Sequence, residues 1–87
     1  VGLALGAVTA YGDALRVDPR LAEAHMRIGE TLGRQGRWHE ASRAFREAVR
    51  LRTTSLEAHG NLVLALYRAG SGAAAVRAME RMVRLRP

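Results

Sequence analysis

The sequence predicts an all-α fold, an α-solenoid of stacked antiparallel helix pairs, on three observations. The chain repeats itself after 34 residues, its apolar residues recur at helical spacing, and glycines interrupt that spacing at Gly36 and Gly70. The period is read from identities. Ala24 returns as Ala58, His25 as His59, Arg34 as Arg68, Gly36 as Gly70, Ala41 as Ala75 and Ala44 as Ala78, while Arg50, Leu51 and Arg52 return as Arg84, Leu85 and Arg86. One step backwards, Ala41, Ala44, Ala48 and Arg50 meet Ala7, Ala10, Ala14 and Arg16. A fixed period of this length marks helix-pair units, none of which can bury its apolar face alone.

Residues 3–16 read as a first helix, apolar at Leu5, Val8, Tyr11, Ala14 and Leu15. Asp18 and Pro19 end it and open the next, with Asp as the cap and Pro in the first turn. The second helix, 20–34, presents Leu21, Ala24, Ile28 and Leu32 on one face, and Gly36 stops it, as glycine does just past a helix end. Gly29 sits mid-helix, where glycine costs about 1 kcal/mol relative to Ala. The expected compensation is close approach of the following helix through its small residues Ala41 and Ala48. That third helix, 38–51, should bury Trp38, Ala41, Phe45, Ala48 and Val49, with Trp38 read as packing rather than a ligand platform.

Thr54 and Glu57 have the spacing of a capping box for a fourth helix over 55–69, whose core face is Leu56, Leu62, Val63 and Leu66. Gly70 ends it, and Ser71 is placed to cap a fifth, 72–86, which should bury Ala75, Val76, Met79, Met82 and Val83. About five helices are expected, with turns near residues 18, 36, 53 and 70.

Composition narrows the function classes. Eighty-seven residues make one small domain, in which burial is marginal. The start at Val1, in the middle of a repeat, predicts a piece of a longer array. There is no cysteine, so disulfides and thiolate metal sites are excluded and nothing assigns a compartment. The opening VGLALGAV falls far short of the roughly 20 residues of a membrane span and lacks the basic start of a signal peptide. Net charge is +6, and all 14 basic residues are Arg, the side chain best suited to bidentate contacts with carboxylate or phosphate. An acidic partner is therefore in view.

Enzymatic sites find no support. His25 and His59 lie one full repeat apart without a carboxylate at i+3 or i+4, and His39 is alone. Zinc needs three or four converging ligands, so neither metal nor another cofactor is expected, and the two histidines read as half-buried fillers. Gly70-Ser71-Gly72 follows no strand and precedes no Lys-Ser/Thr, which excludes a phosphate loop. Glu23–Arg27, Glu30–Arg34 and Glu80–Arg84 are i,i+4 pairs of a solvated helix surface.

The repeats resemble the tetratricopeptide repeat, whose pattern runs W-x2-L-G-x2-Y, then A-x3-F, then P. In Ala22–Ser55 those slots hold His25, Ile28, Gly29, Leu32, Ala41, Phe45 and Thr53, and in Leu56–Pro87 they hold His59, Leu62, Val63, Leu66, Ala75, Met79 and Pro87. Residues 1–21 match only the second helix and tail, through Ala7, Tyr11 and Pro19. The resemblance thus covers the whole chain as half a repeat plus two, 22–55 and 56–87. It implies a right-handed solenoid that serves as a protein-interaction scaffold. Val63 and Met82 enlarge slots that are small in the family, and Gly72 stands where Trp38 stood.

The same resemblance implies a concave groove lined by the first helix of each pair. Carried over by slot, its lining is Glu23, Met26, Arg27, Glu30 and Arg34, then Glu57, Asn61, Leu64, Tyr67 and Arg68. Asn61 and Arg68 match two slots of a carboxylate clamp known in the family, whereas Gly60 and Leu64 leave the rest of it empty. A mixed groove results, apolar at Met26, Leu64 and Tyr67 with Arg at its edge, suited to a protein or peptide.

A second surface, the outer face of the second helices, carries Arg43, Arg46, Arg50, Arg77, Arg81 and Arg84, partly offset by Glu47 and Glu80. It has no aromatic for base stacking, so nucleic acid ranks last among partners, behind a solvated face and an acidic protein or lipid surface. Leu5 and Val8 at one end, and Met79, Met82, Val83 and Leu85 at the other, lack the polar outer face of capping units. Their cover is expected from missing repeats, another protein, or a second copy stacked end to end, which propagates a filament when the contact is heterologous.

Overall fold

The computed structural model describes residues 21–85. Within them lie four helices and no strand: α1 (Ala22–Arg34), α2 (Trp38–Leu51), α3 (Leu56–Arg68) and α4 (Gly72–Arg84). The expected helix over 3–16, and the boundary at Asp18 and Pro19, lie outside the described residues. Each helix packs chiefly on the next in sequence, as in a helical-repeat solenoid.

The two glycine turns are built alike. Gly36 and Gly70 have φ of 77° and 83°, the left-handed region that a Cβ disfavours. Gly36 N–H donates to the Gly33 carbonyl and Arg37 N–H to that of Leu32, both at 2.9 Å. Gly70 N–H donates to Tyr67 O and Ser71 N–H to Leu66 O. These paired bonds satisfy carbonyls that a helix end otherwise orphans. The connection between α2 and α3 has no glycine and is closed by a side chain. The His59 ring lies with Nε2 2.8 Å from the Thr53 carbonyl; a carbonyl only accepts, so the ring donates. His59 is buried rather than half-buried, because its polar atom has this partner inside the turn.

Helix starts depart from expectation in two places. Before α1 the cap position is held by Leu21, with no side-chain hydrogen bond, so the helix begins two residues later than its pattern suggested. At α3 the cap is Ser55, whose Oγ accepts from the Ala58 N–H at 3.2 Å. The Thr54–Glu57 box is thereby displaced, since Glu57 falls at the second helical position. Ser71 does hold the cap position of α4, but its side chain makes no capping bond.

The core joins Met26, Leu32, Phe45, Leu62 and Leu66 with buried alanines at 41, 48, 58, 65, 75 and 78. Alanines at the crossings let the helix axes approach closely. The mid-helix Gly29 is compensated differently from the expected alanine contact. The Phe45 ring lies on it, and a Cβ at Gly29 would come within 2.6 Å of that ring. Gly33 meets Trp38 in the same way, at 2.8 Å. Four expected core positions are exposed instead. Leu56, at the first helical position of α3, points out of the stack. On α4, Val76, Met79 and Val83 are 54%, 46% and 59% exposed, because no described helix lies against that side.

Candidate functional site

The i,i+4 glycines of α1 shape a groove between α1 and α3. Without a Cβ at Gly29 or Gly33, the rings of Phe45 and Trp38 rest on the α1 backbone and form the groove's floor. Leu64 of α3 is the opposite wall, and Glu30, Arg34 and Asn61 provide the polar rim of a hollow of about 560 Å³. That volume lies within the roughly 300–1,000 Å³ typical of ligand sites. Arg68, one turn beyond Leu64, holds its guanidinium carbon 5.9 Å from the centroid of the Trp38 ring, at the outer limit of cation–π attraction.

Of the residues expected here, Glu30, Arg34, Asn61 and Leu64 are brought together and Arg68 sits over the Trp38 ring, whereas Tyr67 is 70% exposed and does not line the hollow. Met26 is a correction. It shares a stripe with Ala22, Gly29 and Gly33, all turned inward, and is a core residue only 7% exposed. Arg27 is another, because its charge is engaged within the chain. It pairs with Glu30, lies 3.7 Å from Glu23, and reaches across to Glu57 of α3, also at 3.7 Å. Glu30 therefore faces Arg27 rather than the expected Arg34, and no carboxylate among the described residues pairs with Arg34 or Arg68. The rim is left with two uncompensated positive charges above an apolar floor.

Sequence reasoning missed the floor. Trp38 and Phe45 pack in the stack, as their spacing predicts, and both also line the groove. The signal was available in the pairing of Gly29 and Gly33 with two large aromatics on the next helix.

The outer Arg residues separate into groups. Arg50 is bound by Glu47, with Nη2 to Oε1 at 2.7 Å, and this hydrogen bond holds the Glu47 carboxyl below its ordinary value. Arg43 stands apart, close enough to Glu40 only to add to the lowering that the Arg37 hydrogen bond causes there. Arg84 shares a shallow hollow with Arg77, Glu80 and Arg81, but the expected Glu80–Arg84 ion pair is not formed among the described residues. Arg46, Arg77 and Arg81 converge on one cleft between α2 and α4.

Residues 27–87 match the family model of the tetratricopeptide repeat. The chain belongs to the tetratricopeptide repeat family. Solved structures agree in fold. One MamA crystal structure is 32% identical over 97% of this chain and 49% of its own, with a TM-score of 0.88. A second is 18% identical over 94% of this chain and 45% of its own, with a TM-score of 0.87. This tetratricopeptide chain thus spans about half the length of those MamA chains. No curated protein matches it in sequence. The family and its neighbours make the chain a protein-interaction scaffold in general terms, on a fold that is typically non-catalytic. Among the described residues no helix is long and apolar enough to cross a membrane, and no three His, Cys, Asp or Glu side chains gather as for a metal ion.

Proposed function

We propose that the groove between α1 and α3 is the concave binding surface of the array and takes a peptide or partner segment that presents an apolar side chain beside a carboxylate. The observation that carries this is the apolar floor of Trp38 and Phe45, walled by Leu64, beneath the uncompensated guanidinium groups of Arg34 and Arg68. Burial of the apolar side chain supplies affinity, and a carboxylate held by Arg supplies orientation. Peptides selected from a displayed random library test it. Enriched sequences should pair a bulky apolar residue with Asp or Glu, and Leu64→Asp or Arg34→Glu should weaken their binding about tenfold or more. Arg43→Ala, outside the groove, should be nearly silent. Enriched peptides indifferent to Leu64 and Arg34 would place binding elsewhere.

A second reading, structural stacking of repeats, is favoured by Val76, Met79 and Val83. Val49, which Val83 repeats, packs against the core, while Val83 is open to solvent. The face is shaped to receive the first helix of another repeat, from more of the same array or from a second copy. Sedimentation of the chain with and without Val83→Glu distinguishes the two sources: only association between copies is concentration-dependent and lost in the variant.

A further inference from the structure

The cleft between α2 and α4 lies away from the groove just described. Its floor is Leu62 and Leu66 of α3 with Val49 of α2, and Ala74 and Ala78 keep the α4 wall low. Arg46 stands on one rim, Arg77 and Arg81 on the other. None of the three has an ion-pair partner among the described residues, whereas Arg27, Arg37 and Arg50 each have a glutamate. Glu47, beside Arg46 in sequence, is bound by Arg50, and Glu80, beside Arg81, lines the adjoining hollow with Arg77 and Arg81 without pairing with either.

Like charges one helical turn apart destabilise a helix. Here two of them, with a third across the cleft, surround an apolar strip. That combination is selective about its complement. The space is about 280 Å³, below the range of sites for drug-sized ligands, so it suits side chains of a larger partner. The apolar floor gives nothing to a phosphodiester backbone, and no aromatic in the lining is available to stack a base. Carboxylates one turn apart on a helix have the spacing of Arg77 and Arg81, and aliphatic side chains on the adjacent stripe would reach Val49 and Leu66.

We infer that this cleft is a second docking surface, for an acidic amphipathic helix of a protein partner. It leaves the groove free, so one molecule can join two partners. This inference does not depend on the groove reading.

The test uses the 87-residue chain and a labelled synthetic helix carrying two Glu one turn apart and Leu along the adjacent stripe, with fluorescence anisotropy as the readout. The peptide should bind, and Arg46→Glu with Arg77→Glu should weaken it about tenfold or more. Leu64→Asp and Arg34→Glu in the groove should leave it unchanged. Replacing the peptide's Leu by Ala should also abolish binding, since charge alone is insufficient. Because Arg46 and Arg77 are exposed, circular dichroism of the double variant should match the parent. Absence of binding overturns the inference, as does equal loss from the groove variants. Equal affinity for the Leu-free peptide or for a DNA duplex would reduce the site to a general polyanion surface and overturn it. So would charge-dependent binding to anionic vesicles without binding of the helix.

Discussion

The pair α1–α2 and the pair α3–α4 share a register but differ in how they are filled. In the first pair glycine at 29 admits the Phe45 ring, and glycine at 33 admits Trp38. In the second pair Val63 and Tyr67 hold those positions, and their partners are Met79 and Gly72. Phe45 is 3% exposed, whereas Met79 is 46% exposed, and a Cβ at Gly72 would meet nothing within 4 Å. Packing has moved instead to the helix crossing, where Met82 Sδ is 3.9 Å from the Cβ position of Gly60. The difference shows that helix-pair periodicity sets where helices run, while the size of a few side chains decides which pair forms a floored groove and which leaves an apolar face in solvent.

The largest expected break in this comparison is truncation of the paired residues Phe45 and Met79. Phe45→Ala should cost about 3–5 kcal/mol by emptying a buried ring site. Met79→Ala should cost roughly 1 kcal/mol or less, because much of that side chain is never removed from water. Urea unfolding of the two variants measures the gap, and equal losses would show that the second pair is as tightly filled as the first.

Gly29→Val makes the first pair imitate the second. The added side chain meets the Phe45 ring, so stability should fall by about 1–3 kcal/mol. Combining it with Phe45→Met, the second pair's solution, should recover part of the loss as a favourable coupling in a double-mutant cycle. Strict additivity would sever the link between glycine and ring.

The caps differ on a smaller scale. Ser55→Ala removes a capping hydrogen bond and should destabilise by about 1 kcal/mol, while Ser71→Ala, where no such bond exists, should be close to neutral. Thermal unfolding of the two variants separates them.

The smallest effect is with pH. Hydrogen bonds from Arg37 and Arg50 lower the Glu40 and Glu47 carboxyls below an ordinary 4.5. A depressed folded-state value means the contribution is complete above the unfolded value and is lost as pH falls through the folded one. Both glutamates belong to the first pair and are solvent-screened, so Glu40→Gln with Glu47→Gln should flatten the acid limb of the stability profile only slightly. An unchanged slope would show that these exposed pairs add nothing.

Much of this was legible in the sequence because periodicity is a local signal. Helix existence, the turns at Gly36 and Gly70, and the core positions Ala41, Phe45, Ala48, Leu62 and Leu66 follow from spacing, whereas the neighbourhood of Glu30, Arg34, Asn61 and Leu64 was implied only by the family resemblance. Spacing along one helix does not say which carboxylate an Arg will choose. Arg27 took Glu30 and Glu57, one of them on another helix, and thereby left Arg34 uncompensated. Nor does it say which side of an apolar helix the next helix will cover, which is why Met26 went inward and Val76, Met79 and Val83 stayed out. The sequence alone determined the period, the glycine turns that end α1 and α3, and the family. Only the tertiary structure decided that Phe45 and Trp38 seat on glycines to floor a groove, and that Arg46, Arg77 and Arg81 share one cleft, because those relations arise between helices whose crossing is set by side-chain volume rather than by any distance along the chain.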